Sequence, residues 1–497
     1  MSEEQRSLNQ IINFRKEKLQ KLREAGVNPY PYTFSTTHYS DEIHSSYDEL
    51  EKKDVAVAGR IMSLRKMGKA AFCHIQDSHG KIQSYVRRDD VGEDSYANFK
   101  LLDIGDYVGI EGYVFKTRTE EISVHASSVT ILAKSIRPLP VVKEKDGEVF
   151  DAFLDKEQRY RNRHLDLIVN PDVRRTFVER AKIISSLRLF LDERGFLEVE
   201  TPVLQPLYGG ANARPFITHH NTLDQELYLR IADELYLKRL IIGGFDKVYE
   251  LAKDFRNEGM DRNHNPEFTM LEFYQAYADY HMIMDFVEEM IRYAASSVGS
   301  LQKTWGDMDI DLSKPFERKP IFELLQEAVG RDVSNADENE LREICTENDI
   351  AISDKTNYGQ ILDELMRRLV EPKLIQPTFV MDHPKAISPL AKKHRSGNED
   401  IVERFELFIG GAEFANAFSE LNDPVDQRQR LEAQATLRKE GDEEAQPVDE
   451  NFLQAVEYGM PPTGGVGVGV DRLVMLLTEN RWIKDVLLFP AMKSVEE

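Results

Sequence analysis

Three stretches of this chain gather side chains that could act on a charged substrate. In residues 247–277, KVYELAKDFRNE and EFTMLEFYQAY are extended in character and joined by the polar loop GMDRNHNP, which predicts an antiparallel pair. Side chains alternate along a strand with period two. Phe268, Met270, Glu272 and Tyr274 then share one face of the second strand, and Arg256 and Glu258 one face of the first. Acids normally face solvent in a purely structural hairpin, so a cation, two carboxylates and two aromatic rings on one face point to a site. The second stretch is GGAEFANAFSELND, residues 410–423. On an unbroken strand Glu413 and Glu420 would point oppositely, and a turn or bulge near Ala415–Ala417 would bring them to one side. Two converging carboxylates with Asn422 nearby could hold Mg²⁺ against a polyphosphate. The third is GGVGVGVDR, residues 464–472, a glycine-rich strand running into the apolar helix LVMLLTENRW with Arg472 at the junction. Glycines there admit close approach of another molecule, and the guanidinium fork of Arg472 suits phosphate oxygens. This stretch lacks the GxGxxG fingerprint and no GxxxxGK[ST] occurs, which excludes a P-loop protein.

Such groups need a large scaffold to position them. At roughly 150 residues per domain, a length of 497 predicts two to four domains. The net charge of −23 excludes a protein that coats nucleic acid by bulk charge, so a polyanionic partner must meet local basic patches. With 41% apolar and 30% charged residues the chain reads as globular. Cys73 and Cys345 are too few and too distant for a disulfide framework or a Cys-rich zinc site, which predicts a reducing compartment. The start, MSEEQRSLNQ, has no apolar signal core, and no apolar run approaches the ~20 residues of a membrane span. The expectation is a soluble cytoplasmic protein with no membrane partner.

Residues 5–25 place Leu8, Ile11, Ile12, Leu19 and Leu22 at helical spacing, with Arg15, Lys16, Lys18, Lys21 and Arg23 on the other side and Gly26 as a stop. Such a helix either docks on its own domain or touches RNA. Over residues 54–132, VAVAGRIMS, AAFCHIQD, KIQSYVRR, DYVGIEGYVF and EEISVHASSVTIL are short and β-branched, which predicts a five-stranded barrel of the OB type. Between Asp54 and Arg88, seven Lys/Arg stand against two Asp/Glu, so this part of an acidic chain is locally basic. Phe72 and Tyr85 among those charges fit single-stranded nucleic acid held by stacking and backbone attraction; both rings could equally be core. Two prolines and a charged run mark residues 133–150 as a linker, and the chain is mixed helix and strand thereafter. Lys156 to Arg188 is again basic, with nine Lys/Arg against four Asp/Glu. An amphipathic helix over 173–194 leads into RGFLEVETPVL, a strand ending at Pro202. Ser334 to Glu371, with ten Asp/Glu against four Lys/Arg, reads as an acidic helical insertion.

Taken in order, Gly195 to Pro202, FRNEG with HNPEFTMLEFYQAY, and GGVGVGVDR resemble the three signature motifs of class II aminoacyl-tRNA synthetases. GGANARPF, LYLRIADELYLKRL, FSELND and PPTGGVGVGVDR, with GRIMSLRKMGKAAF and KTRTEEIS in the barrel, look like the branch that activates lysine. The resemblance spans essentially the whole chain; Ala415 and Ala417 stand where relatives often carry Gly. It implies an α+β protein: an N-terminal helical segment over 1–50, an OB-fold anticodon-binding domain over 51–140, a linker over 141–165 and a catalytic domain over 166–497 with a helical insertion near 320–375. The catalytic domain would hold a six- or seven-stranded antiparallel sheet flanked by helices, with the first motif in a homodimer interface.

The same resemblance implies that L-lysine and ATP give lysyl-adenylate and pyrophosphate, after which the lysyl group passes to tRNA(Lys). Arg256 would bridge the lysine carboxylate and the α-phosphate, and Arg472 would hold the γ-phosphate. Phe268 would stack on adenine, with Glu258, His264 and Asn265 around the base and phosphates. Glu413 and Glu420 would carry Mg²⁺, up to three ions per site. Glu234 would take the α-ammonium, with Gly210 and Ala232 supplying backbone contacts. A buried ammonium demands a carboxylate partner; Glu272, with Tyr274 on the same face, provides one, and Asn422 an acceptor. Arg65, Phe72, Gln83 and Glu121 would meet the unstacked bases of an anticodon. An aspartyl- or asparaginyl-type synthetase is the nearest alternative, and it would need cations at the pocket's end. An enzyme that lysylates a protein would usually lack the barrel, and a non-catalytic paralogue would have lost Arg256, Arg472 or an acidic ligand.

Overall fold

The β-branched stretches between residues 54 and 133 close into a barrel in the computed structural model of the chain. The structure describes residues 3–140, 143–145, 148–150, 153–353, 356–439 and 445–494. It forms two compact units, Met1–Phe153 and Leu154–Glu497, in an α+β fold. No helix among the described residues is long and apolar enough to cross a membrane.

In the first unit, β1 (Asp54–Met67), β2 (Ala70–Gln76), β3 (Lys81–Arg87), β4 (Tyr107–Lys116) and β5 (Ile122–Ala133) run in the order β1-β2-β3-β5-β4, and β1 closes on β4. Period-two alternation puts Ala71, Cys73 and Ile75 of β2 in the barrel core and leaves Phe72 and His74 on its outer face. Burial pushes the Cys73 thiol up to about 12, so it packs as a small apolar group. Helix α1 (Glu3–Glu24) ends at Gly26, whose φ of +75° lets the Val27 N–H return to the Leu22 carbonyl. Its two sides divide less cleanly than the spacing predicts. Arg15 is buried and donates to Ser135 Oγ at 2.6 Å and the Ile104 carbonyl at 2.9 Å, whereas Ile11 is 39% exposed. A guanidinium is all donor, and acceptors at the barrel rim satisfy it better than an apolar side chain could.

Of the linker expected over 141–165, residues 141–142, 146–147 and 151–152 lie outside the described residues. What is described is a short strand pair, Lys143–Lys145 with Glu148–Phe150, and helices Lys156–Arg161 and Arg163–Val169.

The second unit is built on one sheet. Its strands are β6 (Leu197–Glu198), β7 (Lys247–Phe255), β8 (Glu267–Ala276), β9 (Glu317–Pro320), β10 (Thr378–Met381), β11 (Arg404–Ile409), β12 (Ala412–Ser419) and β13 (Thr463–Gly469). Their order is β9-β10-β11-β12-β13-β8-β7-β6. This is eight strands rather than six or seven: the inner six are antiparallel, while β6 and β9 run parallel to their neighbours at the two edges. One face is covered by α2 (Pro171–Asp192), α4 (Tyr280–Ser296) and α5 (Val470–Leu477), with Leu187, Phe190, Val287, Met290, Leu473 and Val474 fully buried in that core. Leu271 and Phe273, the odd positions of β8, point into it. The even positions point to the other face, where α3 (Glu234–Ile242) caps one end.

Two expected strands are shorter than predicted. RGFLEVETPVL yields β6 and, only from Leu204, the short strand Leu204–Gln205, because between them the Thr201 N–H goes to the Glu250 carboxylate at 3.0 Å and Pro202 has none to give. β7 stops at Phe255; Arg256 still donates its N–H to the Pro266 carbonyl, but the Glu258 N–H turns back to Arg256. Helices Ile321–Val329, Glu338–Glu347 and Tyr358–Leu365 form an insertion with its own apolar cluster; residues 354 and 355 of that region lie outside the described residues.

Candidate active site

The cavity on the open face of the sheet, about 360 Å³, has strand β13 as its floor. Gly465, Gly467 and Gly469 occupy successive upward positions of that strand. Register places Gly467 between Glu272 of β8 and Asn416 of β12, and Gly465 between Tyr274 and Phe418. Each cross-strand row thus has side chains on both flanks and a gap in the middle. A Cβ on Gly465 would stand 2.2 Å from Glu420 Oε1 and 2.3 Å from Tyr274 Cε1, so no other residue fits.

One end of the cavity is acidic. Glu272 is 5% exposed; its Oε1 accepts from the Asp233 N–H and its Oε2 from the Tyr274 hydroxyl, both at 3.2 Å. Behind it lie Asp233 and Asp254, fully buried, with an oxygen of each of the three carboxylates within 4.8 Å of the others. Arg230 touches Asp233 at 3.0 Å, Glu250 at 2.7 Å and Asp254 at 3.4 Å, so one guanidinium serves three acids before Glu272 is counted. Burial, followed by the charges of Asp254 and Glu272, pushes Asp233 up to about 10. Burial likewise pushes Asp254 up to about 6, and burial with Asp254 and Glu234 holds Glu272 well above the usual carboxylate range. Glu234, at the start of α3, and Glu420 are buried beside them, both paired with Lys238 at 2.5 Å.

The other end is basic. Arg256 lies over the Phe268 ring at 5.1 Å, and its buried Nε has no hydrogen-bond partner. Arg472 donates to the Glu413 carbonyl at 2.6 Å and to His264 Nε2 at 3.0 Å. Asp261 fixes the tautomer: its carboxylate meets His264 Nδ1 at 2.9 Å and can only accept, which leaves Nε2 as the acceptor for Arg472. Desolvation would raise Asp261, but hydrogen bonds from His264 and Asn263 outweigh it and keep the carboxyl below its usual range. Glu413 is half-exposed here, with Arg472 Nη1 3.7 Å from its Oε2. Desolvation by the surrounding cavity walls and the neighbouring Glu406 raise its pKa, while Arg472, Arg404 and Arg256 act in the opposite direction.

Gly210, Ala232, Glu234, Arg256, Glu258, His264, Asn265, Phe268, Glu272, Tyr274, Glu413 and Arg472 all line this one cavity. Asn265 does so with its amide committed to the Glu267 carbonyl and the Ala491 N–H. A bulge between Glu413 and Ala415, one residue before the stretch expected to carry it, restores Glu413 to the face shared by Asn416, Phe418 and Glu420. The two glutamates nevertheless do not meet: Glu413 groups with Arg472 and Arg404, Glu420 with Lys238 and Glu234. Asn422 is outside the cavity, its amide held by Lys392 Nζ at 2.8 Å and the Met460 carbonyl at 3.0 Å. Asn416, Phe418, Arg404 and Glu406 line the wall without having been foreseen. Their alternation along β11 and β12 was present, but its phase depends on where the bulge falls.

The barrel carries a second cluster. Arg65 is paired in register with Phe72, and Phe72 with Tyr85, whose rings lie 4.7 Å apart on the outer face. One row away, Glu121 accepts from His74 Nε2 at 2.7 Å and from Gln83 Nε2 at 2.6 Å. The four barrel residues singled out in sequence thus share one face.

Residues 155–493 match the family model of class II tRNA synthetases (D, K and N), and residues 55–132 that of an OB-fold nucleic acid binding domain. The chain belongs to the class II tRNA synthetases. A lysine–tRNA ligase of Porphyromonas gingivalis is 52% identical over 96% of this chain and 85% of its own length. Those of Carboxydothermus hydrogenoformans and Staphylococcus epidermidis are 51% and 50% identical, over 99% of this chain and 99% and 100% of their own.

The acidic end of this synthetase makes its stability depend on pH. Asp233 binds a proton in the folded state up to pH about 10, and at its ordinary value of 3.8 only up to acid pH when unfolded. The folded state is therefore favoured below pH 3.8 and loses that advantage as pH rises through 10, by up to about 1.4 kcal/mol per pH unit. Asp233→Asn, isosteric with the protonated acid, should remove this slope. Thermal melts at pH 6 and pH 9 should show the variant gaining on the wild type at the higher pH; an equal difference at both would mean that Asp233 is ionised throughout.

Proposed function

We propose that this synthetase activates L-lysine with ATP and transfers the lysyl group to tRNA(Lys). The observation that carries the reading is the polarity of the glycine-floored cavity, with buried Glu272 at one end and Arg256 and Arg472 at the other. A lysine laid along the gap puts its ε-ammonium on Glu272 and its α-ammonium on Glu234, and its carboxylate reaches Arg256. Among the described residues, the cations at the acidic end, Arg230 and Lys238, are already paired to Glu250, Asp254, Glu234 and Glu420. None is left for an aspartate side chain, which disfavours the aspartyl and asparaginyl alternatives.

The attacking lysine carboxylate is anionic at neutral pH and needs no general base. Arg256, with a buried unpartnered Nε, draws that carboxylate and the α-phosphate together. A bond forms from the carboxylate oxygen to the α-phosphorus as the bond to pyrophosphate breaks. A terminal ribose hydroxyl of tRNA then attacks the carbonyl carbon, AMP leaves, and the hydroxyl proton is released. The work is alignment and charge neutralisation. Arg472, held by His264 and the Glu413 carbonyl, grips the distal phosphate, and Phe268 stacks on adenine with Glu258, His264 and Asn265 nearby. Mg²⁺ would neutralise phosphate charge. Glu413 fits it as a hard oxygen ligand facing the basic end, whereas Glu420 offers only the oxygen that Lys238 leaves free.

Arg65, Phe72, Gln83 and Glu121 meet the anticodon on the barrel face. The protein works as a homodimer through α2 and the segment after it up to Leu204, which together expose Val178, Leu189, Leu197, Val203 and Leu204. Sedimentation at micromolar concentration should give about twice the 57.2 kDa of the chain, and a fully active monomer would refute the dimer.

ATP–pyrophosphate exchange with each of the twenty amino acids, without tRNA, should respond to lysine; a response to aspartate instead would overturn the reading. In the same assay Glu272→Gln should lose about 3–5 kcal/mol, roughly two to three and a half decades in kcat/KM for lysine, because a buried ammonium loses its counter-charge. A loss within about threefold would move ε-ammonium recognition elsewhere. Phe72→Ala should lower aminoacylation about five- to a hundredfold, the value of one base–aromatic stack, and spare exchange. Equal losses in both would place Phe72 in a structural role.

A further inference from the structure

Behind the acidic end of the cavity lies an ammonium of the protein's own. Lys238 is fully buried one turn after Glu234 on α3, and its Nζ lies 2.5 Å from Glu234 Oε1 and 2.5 Å from Glu420 Oε2. Each carboxylate therefore has one oxygen on Lys238 and one free. The free oxygens face ground kept clear by glycine. Glu234 Oε2 lies 3.8 Å from where a Cβ on Gly210 would stand, and Glu420 Oε1 lies 2.2 Å from that of Gly465.

We propose that Lys238 is a positioning residue for amino-acid recognition, locking the Glu234 carboxylate, with Glu420 beside it, so that its free oxygen receives the α-ammonium of the substrate. The proposal rests on the lysine-activating reading above. Two features support it. Glu234 and Glu420 are buried carboxylates facing the same cation, and without Lys238 they would repel each other and turn away. The phosphate end has no part in the arrangement, since Arg472 is held by the Glu413 carbonyl and His264 and Arg256 lies over Phe268. Lys238 touches no reacting atom; it acts through Glu234.

A substrate analogue separates this role from general support of the fold. 6-Aminohexanoate keeps the carboxylate and the terminal ammonium of lysine and lacks the α-ammonium. Its inhibition constant and the KM for lysine are measured in ATP–pyrophosphate exchange for wild type and Lys238→Met. The variant should weaken lysine about ten- to a hundredfold, as a lost charge-assisted bond does. It should weaken 6-aminohexanoate less than about threefold and leave the KM for ATP within about twofold. Equal weakening of both ligands would make Lys238 a structural residue and overturn the inference. If Lys238→Met does not fold, Lys238→Gln, whose amide still donates two hydrogens, is read by the same ratio. A wild-type enzyme that gives no exchange with lysine would overturn the substrate reading and this inference with it, whereas equal weakening in an enzyme that does exchange overturns this inference alone.

Discussion

Glu272, Asp233 and Asp254 are three carboxylates taken out of water side by side, with the Arg230 guanidinium as the cation in contact with the two aspartates. Desolvation makes that arrangement costly unless a proton or a further cation is supplied. The surroundings answer to it. The N–H of Asp233 and the hydroxyl of Tyr274 hold Glu272 in place, Glu250 shares Arg230, and Lys238 neutralises the next pair of acids along the wall. In the proposed reading a ligand with two ammonium groups relieves the excess charge, so what destabilises the empty cavity would make it selective.

The same constraint explains the floor. A side chain at 465 would collide with Glu420 and Tyr274, so the acidic wall can close over the sheet only above glycine. At the other end of the strand, Gly469 leads directly into α5 and places Arg472 beside His264. One strand thereby separates two regions of opposite charge by a few residues. In the proposed reading that separation aligns an amino acid against a polyphosphate.

The barrel solves a different problem with the same alternation. Its inward positions fill a core that no ligand enters, and its outward positions collect Arg65, Phe72 and Tyr85 with the His74–Glu121–Gln83 chain. Phe72 is on the outer face because Ala71 and Cys73 on either side of it point inward.

How much of this was legible in the residues follows from what each inference required. Period-two alternation is a local property, and FTMLEFYQ is enough to place Phe268, Met270, Glu272 and Tyr274 on one face. Five β-branched runs are enough for the barrel, and GGVGVGVDR for a glycine floor ending at a guanidinium. Three things lay beyond local pattern. The bulge in β12 was foreseen near Ala415–Ala417 but not at Phe414, and its position sets the phase that brings in Asn416 and Phe418. Asn422 lies near the site in sequence and outside it in space, because Lys392 and the Met460 carbonyl claim its amide. The groups behind Glu272, namely Arg230, Asp233 and Asp254, and the Lys238 bridge between Glu234 and Glu420 join residues of separate elements. Burial and partnership are properties of the packed chain: a carboxylate reads the same in sequence whether it meets water, a guanidinium or another acid, and folding alone determines which.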